Sequence, residues 1–195
     1  MVTDHGHKIL TIENAIPDDV CDGLVETFEW VLKNKKDEVA ANYVCGGCTL
    51  CTCTRLDMQL YPEFENVYHA AMEKIADSID IYTDEVVNKE YANWPEQYSW
   101  ESVSIKKYKA LSDEGQTHHS DQWDMASSNR FLIFFGYLTD VLNGGSTYFK
   151  EFDITIPSKK GSILFFPPFW THVHKGEAAI SNDKYIIKSS LMYSS

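Results

Sequence analysis

Three side chains able to bind a metal stand out in the second half of the chain: His119, Asp121 and His174. His119 and Asp121 are two positions apart, and side chains at that spacing leave the same face of a β-strand, so both could reach one ion. His174 lies far along the chain in an apolar segment typical of a buried strand. Two imidazoles and one carboxylate on one side of an ion leave its other side open, as in non-haem Fe(II) oxygenases. Zinc accepts the same ligands, so the triad alone does not decide the metal.

A second histidine near the third ligand leaves a choice open. If residues 171–174 form a strand, His172 and His174 project from the same face and either could reach the ion. His118 would point away from its neighbour His119 on a strand, and we interpret it as a residue at the rim of the site.

Five motifs between Tyr108 and Tyr185 carry a family resemblance. Residues 174–185 resemble the H-x-G-(x)7-K-[WY] signature of prolyl 4-hydroxylase-like, 2-oxoglutarate-dependent oxygenases. Four further segments resemble that family's motifs in the same order: Tyr108 ahead of His119-x-Asp121, Arg130 with the apolar run 131–138, the turn and strand Gly144-Gly145-x-Thr147-x-Phe149, and the hairpin 157–167. Any one motif would be a weak signal, whereas five in order are specific.

The resemblance implies a site and a reaction. His119, Asp121 and His174 would hold Fe(II), and the ten-position interval to Lys184 favours His174 over His172 as the third ligand. Lys184 would bind the far carboxylate of 2-oxoglutarate, with Thr147 and Tyr108 as hydroxyl donors to the same group. Dioxygen would be the second co-substrate, and ascorbate would support activity. The implied reaction hydroxylates a C–H bond of a peptidyl (prolyl-like) or small-molecule substrate, with succinate and CO2 as co-products.

The substrate side of the site is less defined. Its candidate residues are Arg130, His172 and Trp123; Arg130 would contact a substrate carboxylate or pair with an acid, and His172 could instead support the metal ligands. Prolyl hydroxylases with this signature usually carry a tryptophan six positions after the lysine, where this chain has Ser190. Loss of a large indole changes the volume and stacking surface of the pocket.

Four of the five cysteines fall within nine positions: Cys45, Cys48, Cys51 and Cys53. Knuckles of the C-x-x-C type bind zinc or iron–sulfur clusters, so this segment is a candidate zinc site. Nine residues can hardly surround an ion tetrahedrally, however. Reduced thiols in a loop and disulfides are the alternatives.

Composition limits the class of protein. The chain has 195 residues, 44% of them hydrophobic and 13% aromatic, which excludes a disordered chain and fits a single oxygenase domain over 1–195. A net charge of −12 disfavours nucleic acid and anionic membrane surfaces as partners. Because no apolar run could span a bilayer and the start does not resemble a signal peptide, we expect a cytoplasmic protein. The sequence does not indicate an oligomeric state.

Periodicity predicts an α+β fold that is mainly β. Apolar residues at helical spacing predict helices that begin near Pro17 and Pro62, and 8–13 and 54–60 read as strands. Short strands are predicted at 101–109, 117–121, 131–138, 146–150, 153–156, 162–166, 171–174 and 184–192. This order describes a double-stranded β-helix (a cupin-like jelly roll) over 101–195, braced by helical and strand support from 1–100.

Two functions from other classes remain open on the sequence. A jelly roll could hold a divalent ion without redox chemistry, as a hydrolytic or isomerising cupin-type enzyme. The chain could also be a zinc-binding interaction module that uses residues 45–53.

Overall fold

The structure, a computed structural model, describes residues 1–35, 43–44, 52–88, 93–112 and 117–194. In those ranges the chain forms twelve β-strands and two α-helices. The strands are β1 (Val2–Asp4), β2 (Leu10–Ile12), β3 (Tyr43–Val44), β4 (Thr52–Asp57), β5 (Tyr98–Trp100), β6 (Ser104–Tyr108), β7 (Arg130–Tyr137), β8 (Thr147–Phe149), β9 (Ile154–Ile156), β10 (Ile163–Phe166), β11 (His174–Gly176) and β12 (Lys184–Tyr193).

Two helices brace the sheet, as predicted. Helix α1 (Asp18–Asn34) follows Pro17, whose fixed φ suits the start of a helix, and carries two aspartates in its first turn, where the helix dipole favours acids. Helix α2 (Glu65–Tyr82) follows a 3-10 turn and continues into a π-helical turn. Neither helix, nor any other in the described ranges, is long and apolar enough to cross a membrane.

The strands form a nine-stranded and a three-stranded sheet, and every pairing in them is antiparallel. The major sheet has the order β1-β2-β10-β7-β12-β6-β4-β3, with β5 also paired to β12, and the minor sheet has the order β11-β8-β9. Strands β2 and β4 from the first hundred residues pair with β10 and β6 from the second. The two parts of the chain therefore share one sheet.

Side-chain alternation divides the core into two layers. Leu132 and Phe134 on β7 pack with the helices, whereas Ile133 and Phe135 lie in the cluster between the sheets. The inner cluster holds most of the aromatic residues that surround the site described below. This arrangement confirms the predicted double-stranded β-helix with its helical support.

Two predicted strands are wrong. Residues 117–121 form only an isolated β-bridge at His119. The Ser120 hydroxyl donates to the carbonyl of Gln122, and the amide of Gln122 donates to the carbonyl of Pro168. These bonds take the place of the regular hydrogen bonds between paired strands. Residues 171–174 contain the end of a 3-10 turn, and β11 begins only at His174. This turn closely follows two prolines, which lack the N–H that strand pairing requires.

Candidate metal centre and co-substrate cavity

The three predicted metal ligands lie together. His119 and His174 pair through their backbones, each amide donating to the other's carbonyl at 2.9 Å. Asp121 follows two residues after His119, in a bend. One ligand atom from each side chain lies within 4.8 Å of the other two. The backbone bridge between His119 and His174 therefore joins residues that are far apart in the sequence, although His119 and Asp121 do not lie on a regular strand.

Backbone carbonyls fix the tautomer of both imidazoles. Nδ1 of His119 lies 2.8 Å from the carbonyl of Thr117, and Nδ1 of His174 lies 3.0 Å from the carbonyl of His172. A carbonyl only accepts, so each Nδ1 carries the proton and each Nε2 keeps a lone pair for an ion. Burial lowers the pKa of His119, and it lowers the pKa of His174 to about 3. Both rings are therefore neutral at physiological pH, as metal ligation requires.

Asp121 is a buried carboxylate with two different oxygens. Oδ1 accepts a hydrogen bond from Nζ of Lys188 at 2.5 Å, whereas Oδ2 faces Nε2 of His174 at 3.5 Å. Burial opposes ionisation of Asp121, but the charge and hydrogen bond of the Lys188 ammonium hold its pKa below the usual range. The carboxylate is therefore ionised, with one oxygen directed at the space between the histidines.

The residues fit a metal ion. Oδ2 of Asp121 and Nε2 of His174 are buried without a hydrogen-bond partner in the described part of the chain. Each unsatisfied buried polar atom costs about 1–3 kcal/mol, so native proteins rarely leave two facing each other. A divalent cation between the three side chains would satisfy both atoms. Aromatic rings enclose His174, with centroids at 4.7 Å for Phe166 and 5.5 Å for Phe149.

A second, small cavity lies on the same face of the major sheet. Lys184 and Tyr108 are directly opposite each other in the pairing of β12 with β6. The Lys184 side chain is 4% exposed, and its Nζ lies over the rings of Tyr108 at 5.6 Å and Tyr137 at 5.5 Å. Burial lowers the pKa of Lys184 to about 8. Among the described residues this ammonium forms no hydrogen bond or ion pair, although the carboxylate of Glu177 also lines the cavity, so the ammonium can bind an anionic ligand.

Thr147, the second predicted co-substrate residue, also lines this cavity. The cavity is lined by Tyr108, Phe135, Thr147, Gly176, Glu177, Lys184 and Ile186. The Thr147 hydroxyl is buried and lies 2.8 Å from the hydroxyl of Tyr137. The structure therefore brings Lys184, Tyr108 and Thr147 to one small space and adds Tyr137, to which the sequence had given no such role.

Arg130 pairs with an acid, which is one of the two roles predicted for it. Its guanidinium donates to Oε1 of Glu101 at 2.5 Å and to the carbonyl of Asp121 at 2.6 Å, and it lies 5.3 Å from the centre of the Trp123 ring. Glu101 also accepts from Ser190, at 2.8 Å. Where the signature that residues 174–185 resemble usually has a tryptophan, this chain therefore has a hydroxyl that supports a partly buried ion pair. Trp123 is 44% exposed and, together with Arg130, His119 and Asp121, lines a further cavity beside the metal ligands.

His172 is directed away from the metal ligands. Because it belongs to a 3-10 turn, its ring does not share a face with His174 as a strand would require. Its Nε2 lies 2.7 Å from the carbonyl of His7, and its ring packs against Phe152. The predicted alternative of His172 as a ligand is therefore wrong. His118 is exposed, in keeping with a place at the rim.

The zinc site predicted at the cysteines receives no support. Cys45, Cys48 and Cys51 lie outside the described residues. Cys53 is 4% exposed and belongs to the core cluster between the sheets.

Several charged residues of the site were not predicted from the sequence. Lys188, which holds Asp121, lies four positions after Lys184 on β12, and the period of two along a strand could have placed it on the same face. Arg55 and Lys106 face the site from β4 and β6. Strand pairing over a long sequence separation places these two residues there, and no local motif indicates it.

Comparisons with known proteins establish the fold. No protein-family model and no curated protein matches the chain. A viral collagen prolyl hydroxylase from Paramecium Bursaria Chlorella virus-1, solved as a 2-oxoglutarate complex, matches with a TM-score of 0.65 and 18% identity over 97% of this chain and 98% of that one. A Pseudomonas putida prolyl-4-hydroxylase matches with a TM-score of 0.65 and 13% identity, over 97% of this chain and 95% of that one.

A third match is a prolyl hydroxylase from Trichoplax adhaerens in complex with a peptide fragment of the hypoxia inducible factor oxygen degradation domain. Its TM-score is 0.68 at 14% identity, over 96% of this chain and 84% of that one. All three structures are similar to almost the whole of this chain. The chain therefore has the double-stranded β-helix fold of the prolyl 4-hydroxylases.

Proposed function

We propose that this protein is an Fe(II)- and 2-oxoglutarate-dependent dioxygenase that hydroxylates a C–H bond of a peptidyl (prolyl-like) or small-molecule substrate. The observation that carries the proposal is the pair of buried, unsatisfied atoms, Oδ2 of Asp121 and Nε2 of His174, beside His119. A small cavity lined by Lys184 lies on the same sheet face. Two similar structures, one solved with 2-oxoglutarate and one with a peptide, support the same assignment.

The three ligands would hold Fe(II) through Nε2 of His119, Nε2 of His174 and Oδ2 of Asp121. Lys188 would keep Oδ1 of Asp121 occupied, so that the other oxygen remains directed at the ion. Fe(II), when bound, supplies the redox chemistry that couples dioxygen to 2-oxoglutarate. The protein's residues hold the ion, orient the reactants and exclude water.

Lys184 would bind the far carboxylate of 2-oxoglutarate. A buried ammonium forms a strong charge-assisted hydrogen bond with a carboxylate, since little water competes for either charge. The hydroxyls of Thr147 and Tyr108 would donate to the same carboxylate. Aromatic walls would keep the cavity dry, and Phe135 contributes to both the cavity and the surroundings of His174.

The proposed reaction balances without a further reductant. The C1 carboxylate of 2-oxoglutarate leaves as CO2, and the keto carbon is oxidised to the new carboxylate of succinate. One oxygen atom of O2 enters that carboxylate, and the other enters the substrate C–H bond to form C–OH. Ascorbate would serve only to restore iron that is oxidised when the cycle does not reach the substrate.

Succinate formation tests this proposal. Purified protein with Fe(II), 2-oxoglutarate, ascorbate and air should form succinate, and EDTA or the substitution His174→Ala should abolish the activity. His69→Ala, on the exposed face of α2, is the matched control and should retain it. Iron binding without any consumption of 2-oxoglutarate would contradict the proposal and favour a metal site without redox chemistry.

A further inference from the structure

The segment between β1 and β2 has an unusual backbone. Gly6, His7 and Lys8 follow one another with φ of 78°, 55° and 62°, all in the left-handed region. Glycine adopts that region freely, but for His7 and Lys8 it costs free energy, and such conformations persist only where surrounding contacts hold them. Because backbone strain of this kind is concentrated near functional sites, the contacts that hold this segment indicate its role.

Contacts with two distant parts of the chain hold this segment. The His7 ring stacks on Phe152, which lies between β8 and β9, with ring centroids 4.0 Å apart and an interplanar angle of 10°. The carbonyl of His7 accepts a hydrogen bond from Nε2 of His172 at 2.7 Å. Phe152 also contacts the His172 ring, with centroids 5.2 Å apart. The three residues therefore form one group of contacts, the His7–Phe152–His172 cluster.

Both nitrogens of the His172 ring are hydrogen-bonded. Because a carbonyl only accepts, Nε2 carries the proton that it donates to His7, and Nδ1 accepts from the Thr171 hydroxyl at 2.9 Å. The His172 residue is 8% exposed, so little water competes for these bonds. The ring therefore fastens the 3-10 turn Trp170–His172 to the segment between β1 and β2.

The same turn carries the carbonyl that orients a metal ligand. The carbonyl of His172 accepts from Nδ1 of His174 at 3.0 Å, which leaves Nε2 of His174 directed at the proposed ion. A metal-binding histidine is commonly fixed through its second ring nitrogen in this way. The backbone of His174 is held separately, by its pairing with His119. The His172 side chain can therefore act on the His174 ring through the position of the His172 carbonyl.

We propose that His172 is a positioning residue, which binds the carbonyl of His7 and thereby orients His174 for the metal. The proposal rests on the proposed function for the metal site, but metal binding can be measured without turnover. It also explains the left-handed segment, because this backbone directs the carbonyl of His7 at the turn. Support of the metal ligands was one of the roles that the sequence left open for His172, and these contacts give that role a mechanism.

The metal affinity of matched variants tests the proposal. Equilibrium dialysis against Fe(II) alone, under nitrogen, measures the dissociation constant without turnover. His172→Ala removes the bond to His7, and we expect the constant to rise about tenfold or more. His172→Gln places an amide donor near the position of Nε2 and should recover most of the affinity. His5→Ala is the control and should match the wild type, since the His5 ring lies in the same part of the chain but contacts the Thr11 hydroxyl at 2.9 Å.

Two further measurements separate positioning from stability. Urea unfolding of the metal-free proteins gives the stability of each variant, and the visible absorption of bound Co(II) reports the geometry of its ligands. His172→Ala should change the Co(II) spectrum, whereas a loss of stability alone would leave the spectrum and the affinity of the folded protein unchanged. Should His172→Ala fail to fold, Phe152→Leu removes the ring contacts but keeps the hydrogen bond, and it should raise the Fe(II) dissociation constant about twofold or more.

The outcomes separate this inference from the proposed function. An unchanged Fe(II) dissociation constant in His172→Ala, no recovery in His172→Gln, or an equal loss of affinity in His5→Ala would overturn the inference alone. A wild-type protein whose Fe(II) affinity depends on His172 but which never consumes 2-oxoglutarate would overturn the proposed function and leave the positioning role standing. A wild-type protein that binds no Fe(II) would overturn both.

Discussion

Replacement of Lys184 by methionine should strengthen the fold and weaken the binding of 2-oxoglutarate. The ammonium of Lys184 is buried, and burial lowers its pKa from 10.5 to about 8. That change corresponds to about 3 kcal/mol by which the site disfavours the charged form. Contacts with the faces of Tyr108 and Tyr137 offset about 1–2 kcal/mol of this cost. A methionine of similar length avoids the cost and remains packed, so we expect a net gain of about 1–2 kcal/mol near pH 7.

The gain should depend on pH in a defined direction. Below about pH 8 the folded protein carries the buried charge, and the whole cost is present. Between about pH 8 and 10.5 the folded protein has released the proton while the unfolded chain retains it, so the stability of the wild type rises with pH. The advantage of Lys184→Met over the wild type should therefore shrink as the pH approaches 10.5.

The affinity for 2-oxoglutarate should move in the opposite direction. Loss of a buried charge pair with a ligand costs about 2–5 kcal/mol, so the dissociation constant should rise about thirtyfold or more. Urea unfolding of metal-free protein at several pH values measures the stability, and titration of the succinate assay measures the requirement for 2-oxoglutarate. Lys33→Met, an exposed position on α1, is the control for loss of one charge.

Two results would refute this reasoning. An unchanged requirement for 2-oxoglutarate in Lys184→Met would show that the ammonium does not bind the co-substrate. A variant that is less stable than the wild type at every pH would show that burial of the charge is not costly in this cavity.

Three further predictions follow from the same geometry. Lys188→Met removes the donor to Oδ1 of Asp121, so the dissociation constant for Fe(II), measured by equilibrium dialysis, should rise about 10–100-fold; an unchanged constant would mean that Lys188 does not orient the ligand. Gly144 has a φ of +72°, and a Cβ there would collide with the carbonyl of Ala178. Gly144→Ala should therefore lower the free energy of unfolding, measured in urea, by about 2 kcal/mol or more. An unchanged free energy of unfolding would contradict this turn geometry. Because the neutral amine of Lys184 cannot pair with a carboxylate, the dissociation constant of 2-oxoglutarate should rise about tenfold between about pH 7 and about pH 9; a flat profile in that range would argue against a pKa near 8.

The sequence predicted the parts of the site whose signals are local. The H-x-D pair, the interval from His174 to Lys184 and the double glycine before β8 each lie within a short segment, and periodicity gave both helices and most strands. Where prolines and side-chain bonds to the backbone override periodicity, as near His172, the prediction of a strand was wrong. The double-stranded β-helix itself follows from the order of elements, which is why it could be predicted before any coordinates.

The charged residues beside the metal ligands could not be predicted in the same way. Arg55 and Lys106 are 51 positions apart and meet only because β4 pairs with β6 in one particular register. The hydrogen bond between Ser190 and Glu101 likewise joins a residue of β12 to one in the segment between β5 and β6. Such contacts depend on tertiary pairing, and one sequence without its relatives carries no direct signal of them.

Anomalous scattering at the iron edge tests the central claim most directly. A crystal grown without oxygen in the presence of Fe(II) and 2-oxoglutarate should show one strong peak about 2 Å from Nε2 of His119, Oδ2 of Asp121 and Nε2 of His174, with the far carboxylate of 2-oxoglutarate in hydrogen-bond reach of Lys184. An iron peak held by other residues, or iron-soaked crystals without a peak between these three side chains, would contradict the account.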